Sequence, residues 1–123
     1  MVIAYDSKTG NVRRFIQKLD AECVQIDEDM SLDTPFVLVT YTTGFGQVPE
    51  KVQKFLARNH KQLQAVAASG NRNWGQCFAM SADKIASQYE VPVLYKFELS
   101  GTPLDVTNFQ ERMSSLEAYR AKQ

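Results

Sequence analysis

At the centre of the sequence stands the stretch FVLVT (residues 36–40), in which every residue is apolar or β-branched. A strand that is apolar on both faces is typical of the interior of a parallel sheet covered by helices on both sides. A polar loop with two glycines follows at residues 41–47, and a helical pattern begins near Pro49, where a proline in the first turn is tolerated. A buried strand, a polar loop and a helix form the repeating unit of an α/β fold.

The same unit recurs on both sides of this stretch. The sequence predicts further strands at residues 1–5, 23–26, 63–69 and 92–99, and helices over residues 12–19, 48–56, 78–89 and 106–116. Because strands alternate with helices, we expect βαβ units and a parallel sheet. With five strands we expect a three-layer α/β fold, in which a five-stranded parallel sheet of order 2-1-3-4-5 carries helices on both faces.

The chain has 123 residues, with fourteen basic and fourteen acidic side chains and a formal net charge of zero. Its length is that of one domain, residues 1–123. A neutral chain lacks the net basic charge of a nucleic-acid-binding module. Its longest apolar run, residues 36–39, is far shorter than the roughly 20 residues of a membrane span. Because no signal segment is recognisable, we expect a cytoplasmic protein that binds neither nucleic acid nor a membrane.

The cysteine and histidine content argues against a metal site or a nucleophilic triad. Cys23 and Cys77 are far apart and fit no zinc or C-x-x-C spacing. We interpret Cys77 as a buried core thiol of the third helix. His60 is the single histidine, and we interpret it as a surface residue at the end of the second helix. We therefore expect no metal ligands in this chain.

Polar residues and glycines concentrate in the loops that follow the first, third and fourth strands. Parallel strands present these loops at one edge of the sheet, where ligands of open α/β folds bind. In the first loop the candidate residues are Ser7, Lys8, Thr9, Gly10 and Asn11. Their hydroxyl and backbone N–H groups can cradle a phosphate ahead of the helix that follows. The alternative is that these side chains merely cap that helix.

The second and third loops suit a flat aromatic ligand. Glycines permit close approach of the backbone, and aromatic side chains supply stacking faces. The candidate residues are Tyr41, Thr42, Thr43, Gly44, Phe45 and Gly46 in the second loop, and Gly70, Asn71, Asn73, Trp74 and Gly75 in the third. For Trp74 the alternative is an aromatic lid on the edge of the core. A phosphate loop beside loops for a flat ring points to flavin mononucleotide (FMN).

Other phosphate-binding families fail on specific residues. A Walker loop needs G-x-x-x-x-G-K-[ST], which is absent. Gly44 and Gly46 form a lone G-x-G in the second loop, with Pro49 in the place of the third glycine of a dinucleotide motif. A phosphorelay receiver needs an acidic pair after the first strand and an aspartate at the end of the third, but this chain has only Asp6 and, at the second place, Thr40. A tyrosine phosphatase needs a cysteine and an arginine in the first loop, which contains neither.

Four motifs stand out along the chain: SKTGN (residues 7–11), TTGFGQVP (42–49), AASGNRNWG (67–75) and YKFELSGTP (95–103). They closely resemble those of the NrdI family, small flavodoxin-like proteins associated with class Ib ribonucleotide reductase. The similarity runs from the first strand to about Arg112, and the third and fourth motifs are far more specific than the first. A generic flavodoxin usually has threonine in place of Val12 and is strongly acidic, whereas this chain is neutral.

The resemblance implies a flavodoxin-like fold, a bound FMN and a partner, the small, dimanganese, radical-bearing subunit of the reductase. In the family, reduced flavin reacts with dioxygen, and the superoxide or peroxide formed helps to assemble the tyrosyl radical of that subunit. The family pattern implies that residues 7–11 hold the phosphate, that Thr43–Phe45 meet the reactive edge of the ring and that Asn73–Gly75 cover it. The resemblance implies an unidentified flavin reductant and no catalytic side chain. A general electron-transfer flavodoxin and a non-catalytic module that binds a phosphate or a protein are the alternatives.

Overall fold

A five-stranded parallel sheet of order β2-β1-β3-β4-β5 forms the middle layer of the computed structural model, which describes residues 1–122. The strands are β1 (Val2–Tyr5), β2 (Cys23–Gln25), β3 (Phe36–Tyr41), β4 (Leu63–Gly70) and β5 (Val93–Glu98). The helices are α1 (Asn11–Gln17), α2 (Glu50–Asn59), α3 (Met80–Tyr89) and α4 (Pro103–Ala121), with short 3-10 helices at His60–Gln62 and Arg72–Cys77. The predicted fold and strand order are confirmed.

The structure moves several predicted helix boundaries by two to five residues, and the starts of the third and fourth helices have a clear cause. The third helix begins at Met80 rather than at residue 78, because the preceding residues form a 3-10 helix and Ala79 has a left-handed backbone, with φ of 48°. The fourth helix begins earlier than predicted, at Pro103. Thr102 caps it by accepting a hydrogen bond from the Asp105 N–H, and the Asp105 carboxylate accepts one from the Thr102 N–H in return. This reciprocal capping box was present in the sequence as T-x-x-D.

The helices cover both faces of the sheet. Helices α2 and α3 bury one face and α1 and α4 the other, so that the residues of β3 from Phe36 to Thr40 are completely buried. No helix within residues 1–122 is both long and apolar enough to cross a membrane.

An aromatic cluster fixes α1, and with it the loop that leads into α1, against the rest of the fold. The Phe15 ring stacks on Phe97 of β5 with 3.9 Å between centroids, and meets Phe109 of α4 edge-on at 5.4 Å. All three rings are fully buried. Contacts of this kind stabilise a core beyond the burial of apolar area.

We expect Phe15→Ala to lower the free energy of unfolding by about 3–5 kcal/mol, because it leaves a cavity between two rings that cannot close around it. Denaturant unfolding of the variant and the wild type measures the difference. Tyr119→Ala, at an exposed position of α4, is the control and should change stability little. A comparable loss in both variants would contradict the assignment of Phe15 to the core.

Candidate functional site

The loops at the carboxyl edge of the sheet surround a cavity of about 350 Å³, a size typical of small-molecule sites. Most of the residues nominated from the sequence line it: Ser7, Lys8, Thr9, Asn11, Tyr41, Thr42, Thr43, Gly44, Gly70, Asn71 and Trp74. The three polar loops are therefore brought together at one place, as the parallel sheet requires.

The remaining nominated residues lie in the same loops but do not line the cavity: Gly10, Phe45, Gly46, Asn73 and Gly75. The Phe45 ring is 76% exposed and contacts the Trp74 ring edge-on, with 5.4 Å between centroids. Gly46 packs on the Met80 side chain, and the Asn73 N–H donates to the Asn71 side-chain oxygen at 2.9 Å. Through these contacts Phe45 and Asn73 touch residues that do line the cavity, Trp74 and Asn71.

The cavity also has walls that the sequence did not reveal: Val12, Ser69, Cys77, Ala79 and Leu99. The interpretation of Cys77 as a buried thiol of the third helix is wrong, because Cys77 precedes α3 and is half-buried in the cavity wall. Leu99 comes from a fourth loop, between β5 and α4. That loop was not nominated because its cavity-lining residue is apolar and gives no polar signal. His60 is exposed at the end of α2, as predicted.

The first loop is held by hydrogen bonds among its own side chains and to α1. The Ser7 hydroxyl accepts the Arg13 N–H at 3.3 Å, so part of the capping alternative is correct. Asn11 donates from Nδ2 to the Thr9 hydroxyl at 3.3 Å and accepts at Oδ1 from the Arg14 guanidinium at 2.7 Å. The N-cap position of α1 is Gly10, which has no side chain to cap the helix. Lys8 lines the cavity, and Arg14 stands behind its wall on Asn11, so the first loop carries positive charge that suits an anionic group.

A largely buried hydroxyl cluster joins the second loop to the end of β4 and to α3. The Thr42 hydroxyl donates to the Ser69 carbonyl at 3.2 Å and lies 2.8 Å from the hydroxyl of Ser81, which is fully buried in α3. Nearby, Gly70 has no room for a side chain, because a Cβ atom there would lie 2.5 Å from the Ala79 nitrogen. The cavity wall at the ends of β3 and β4 is therefore fixed by the fold.

A buried carboxyl group lies beneath the first loop. Asp6 is 3% exposed, and its oxygen lies 3.9 Å from the Lys51 Nζ of α2. Burial raises the pKa of Asp6, and the Lys51 charge, the Ser7 N–H and the Tyr41 hydroxyl oppose that rise. Burial also raises the pKa of Tyr41, and the neighbouring Asp6 carboxylate adds to that shift. The strongly polar end of β1 thus contacts Tyr41, which lines the cavity.

Comparison with known proteins identifies the family. Residues 3–111 match the family model described as NrdI flavodoxin-like. The chain belongs to this NrdI family. Protein NrdI from Bacillus licheniformis is 54% identical over 112 residues, which cover 90% of this chain and 86% of that protein. Protein NrdI from Macrococcus caseolyticus is 45% identical over the whole of this chain and 96% of its own length.

Solved structures support the fold of this NrdI-family chain. A short-chain flavodoxin associated with a non-canonical PDU bacterial microcompartment superimposes with a TM-score of 0.71 at 17% identity, covering 96% of both chains. A cysteine-to-alanine mutant of flavodoxin from Pseudomonas aeruginosa gives a TM-score of 0.56 at 22% identity, covering 95% of both.

The family and its flavodoxin neighbours imply FMN as the cofactor, and the cavity fits that molecule. The lining includes the hydroxyl groups of Ser7 and Thr9 beside Lys8, which suit a phosphate. It also includes the aromatic rings of Tyr41 and Trp74, which suit a flat ring. A charged group and an aromatic surface within one cavity are what FMN requires.

The buried Asp6 carboxyl predicts a pH-dependent stability. Because its pKa in the folded state is raised, ionisation at neutral pH disfavours the folded state; this penalty starts to shrink as the pH falls to the folded-state pKa and is gone below the unfolded-state pKa. We expect Asp6→Asn to be more stable than the wild type at neutral pH, and this advantage to shrink under acidic conditions.

Thermal unfolding of the wild-type and Asp6→Asn apoproteins, from neutral to acidic pH, measures this difference in stability. Asp29→Asn, at an exposed position, controls for the change in net charge. A destabilised Asp6→Asn variant at neutral pH would show instead that the ionised carboxylate supports the fold.

Proposed function

We propose that this NrdI-family chain is an FMN-containing redox activator of class Ib ribonucleotide reductase. The observation that carries the proposal is the cavity described above, in a chain whose residues 3–111 match the NrdI family model. Bound FMN, once reduced by a cytoplasmic reductant that is still to be identified, supplies the electrons that convert dioxygen to superoxide or peroxide. The receiver is the dimanganese site of the small reductase subunit, where the oxidant serves to assemble the tyrosyl radical.

In this proposal the loops bind and orient the cofactor, and no side chain is catalytic. The residues from Ser7 to Asn11 hold the phosphate, and the positive charge of Lys8 supports this role. The backbone of Thr43–Phe45 meets the reactive edge of the ring, and the segment Asn73–Gly75 covers the ring with Trp74, its residue that lines the cavity. Gly44 is suited to that contact because its φ is 52°, so its peptide can change orientation without the strain that a side chain would impose.

The alternative is that the chain acts as a general electron-transfer flavodoxin. The TM-score of 0.71 with a short-chain flavodoxin shows a shared fold, which does not separate the two functions. Both functions use FMN, but a general flavodoxin shields its reduced ring from oxygen and serves several partners. The family match and the identity of 45–54% with proteins named NrdI favour the activator.

An anaerobic reductive titration of the FMN-loaded protein, followed by exposure to air, tests the proposal. We expect the visible flavin bands to bleach and then to return with release of superoxide or peroxide, because the activator must let oxygen reach the ring. Addition of the manganese-loaded small subunit should then give a tyrosyl radical, measured by electron paramagnetic resonance. Free FMN at the same concentration is the control for oxidant made in bulk solution.

The outcomes separate the alternatives. Slow reoxidation without a radical in the partner would favour the electron-transfer flavodoxin. A protein that FMN cannot load would remove both redox functions and would leave the loops as a binding surface for a phosphate or a protein.

The aromatic pair at the cavity mouth is the face that we propose docks on the small subunit. Phe45 is 76% exposed and Trp74 is 47% exposed, and the two rings contact each other edge-on. Exposed aromatic side chains of this kind are enriched at protein interfaces. A short-lived oxidant also requires a partner seated close to the flavin.

We expect Phe45→Ala to lower the radical yield in the small subunit several-fold, because it removes half of the proposed docking face. The Phe45 ring does not line the cavity, so FMN binding should be affected less. Radical yield is expressed per bound FMN, so that any loss of cofactor is separated from a loss of docking. Tyr119→Ala, which also removes an exposed ring but from α4, is the matched control. Equal yields from all three proteins would exclude this face as the docking surface.

A further inference from the structure

Leu99 is an apolar residue in a backbone conformation that its side chain disfavours. It directly follows β5, its φ is 54°, and its side chain is 49% exposed while lining the cavity. Left-handed backbone is unfavourable for residues other than glycine and, to a lesser degree, asparagine and aspartate. Neither the conformation nor the exposure of Leu99 is explained by the packing of the core.

Two hydrogen bonds from the end of β4 hold Leu99 in place. The Leu99 N–H donates to the Gly70 carbonyl at 3.0 Å, and the Leu99 carbonyl accepts from the Ser69 hydroxyl at 2.6 Å. Both backbone polar groups of Leu99 are therefore used, and only its side chain is left to interact with a ligand. Strain that the surrounding structure maintains is characteristic of functional sites.

The next residue ties the same segment to the first loop. The Ser100 hydroxyl donates to the Asn11 side-chain oxygen at 2.8 Å and accepts from the Arg14 Nε at 3.0 Å. The loop between β5 and α4 is thus fixed on both sides, by β4 and by the loop nominated for the phosphate. This bracing holds the Leu99 side chain in the wall of the cavity.

We propose that Leu99 is a cofactor-contacting residue, whose side chain packs against the flavin ring of bound FMN. An apolar side chain contributes nothing to a phosphate or to the hydroxyls of the ribityl chain, whereas the flavin ring is a large apolar surface. In the FMN complex, the flavin ring covers the part of the Leu99 side chain that is exposed in the protein without cofactor. The proposal rests on FMN binding by this family, and it adds a fourth loop to the three identified from the sequence.

The test compares Leu99→Ala and Leu99→Gly with the wild type. Both remove the side chain, so we expect both to raise the Kd for FMN about tenfold, as measured by quenching of flavin fluorescence. The visible circular dichroism of saturated protein should change as well, since the contact is with the ring. Only Leu99→Gly relieves the backbone strain, so its apoprotein should melt a few degrees above that of Leu99→Ala.

Three matched variants serve as controls. Glu90→Ala and Glu90→Gly probe another exposed residue with positive φ, 58° at the end of α3, and should reproduce the difference in melting temperature without a change in FMN binding. Leu104→Ala removes a leucine that is exposed away from the cavity and should leave FMN binding unchanged.

Unchanged FMN affinity in both Leu99 variants would overturn the proposal. A higher Kd with an unaltered circular dichroism spectrum would also overturn it, because the loss would then act through the first loop and not through the ring. Failure of the wild type itself to bind FMN would refute the cofactor assignment, a result distinct from the other two.

Discussion

The site depends on a constraint of parallel sheets, which is that every strand must run in the same direction and therefore ends at the same edge. β3 pairs with β1 on one side and with β4 on the other, and Phe36–Thr40 are completely buried by helices on both faces. Because the helices cover both faces of the sheet, polar groups can reach a ligand at the carboxyl edge. Four loops meet there, and their contents decide what is bound.

Polar groups with little access to water hold this edge together, although they cost stability unless they are satisfied. The Thr42 hydroxyl lies 2.8 Å from that of Ser81, and Ser69 restrains Leu99 in a strained conformation. Asp6 is buried with only partial compensation of its charge. These strained or incompletely compensated groups all lie at the cavity or directly beneath it. The two apolar layers on either side of the sheet contain well-packed apolar side chains instead. Such clustering is expected where a fold carries a function.

The sequence located the polar part of the site well because polar residues and glycines stand out against apolar strands. It missed Leu99 and Asp6 for opposite reasons. Leu99 is apolar and so is indistinguishable, by pattern, from a core residue, while Asp6 looked like one more polar residue at the end of a strand. The local helical pattern also misplaced Cys77, because the turn at Ala79 with its positive φ delays the start of α3. Each error concerns the three-dimensional surroundings of a residue, which cannot be read from the local sequence pattern.

The sequence by itself determined the α/β class, the strand order and three of the loops at the ligand edge. Apolar periodicity and the placement of glycines are local properties, and parallel connectivity leaves few arrangements of five strands. Its motifs also identified the family. Only the tertiary structure decided which residues face the cavity, that the loop after β5 joins them, and that Asp6 is buried. Those properties depend on the packing of segments distant along the chain, such as Ser69 against Leu99, and burial sets both the pKa of a carboxyl group and the surface left free for a ligand.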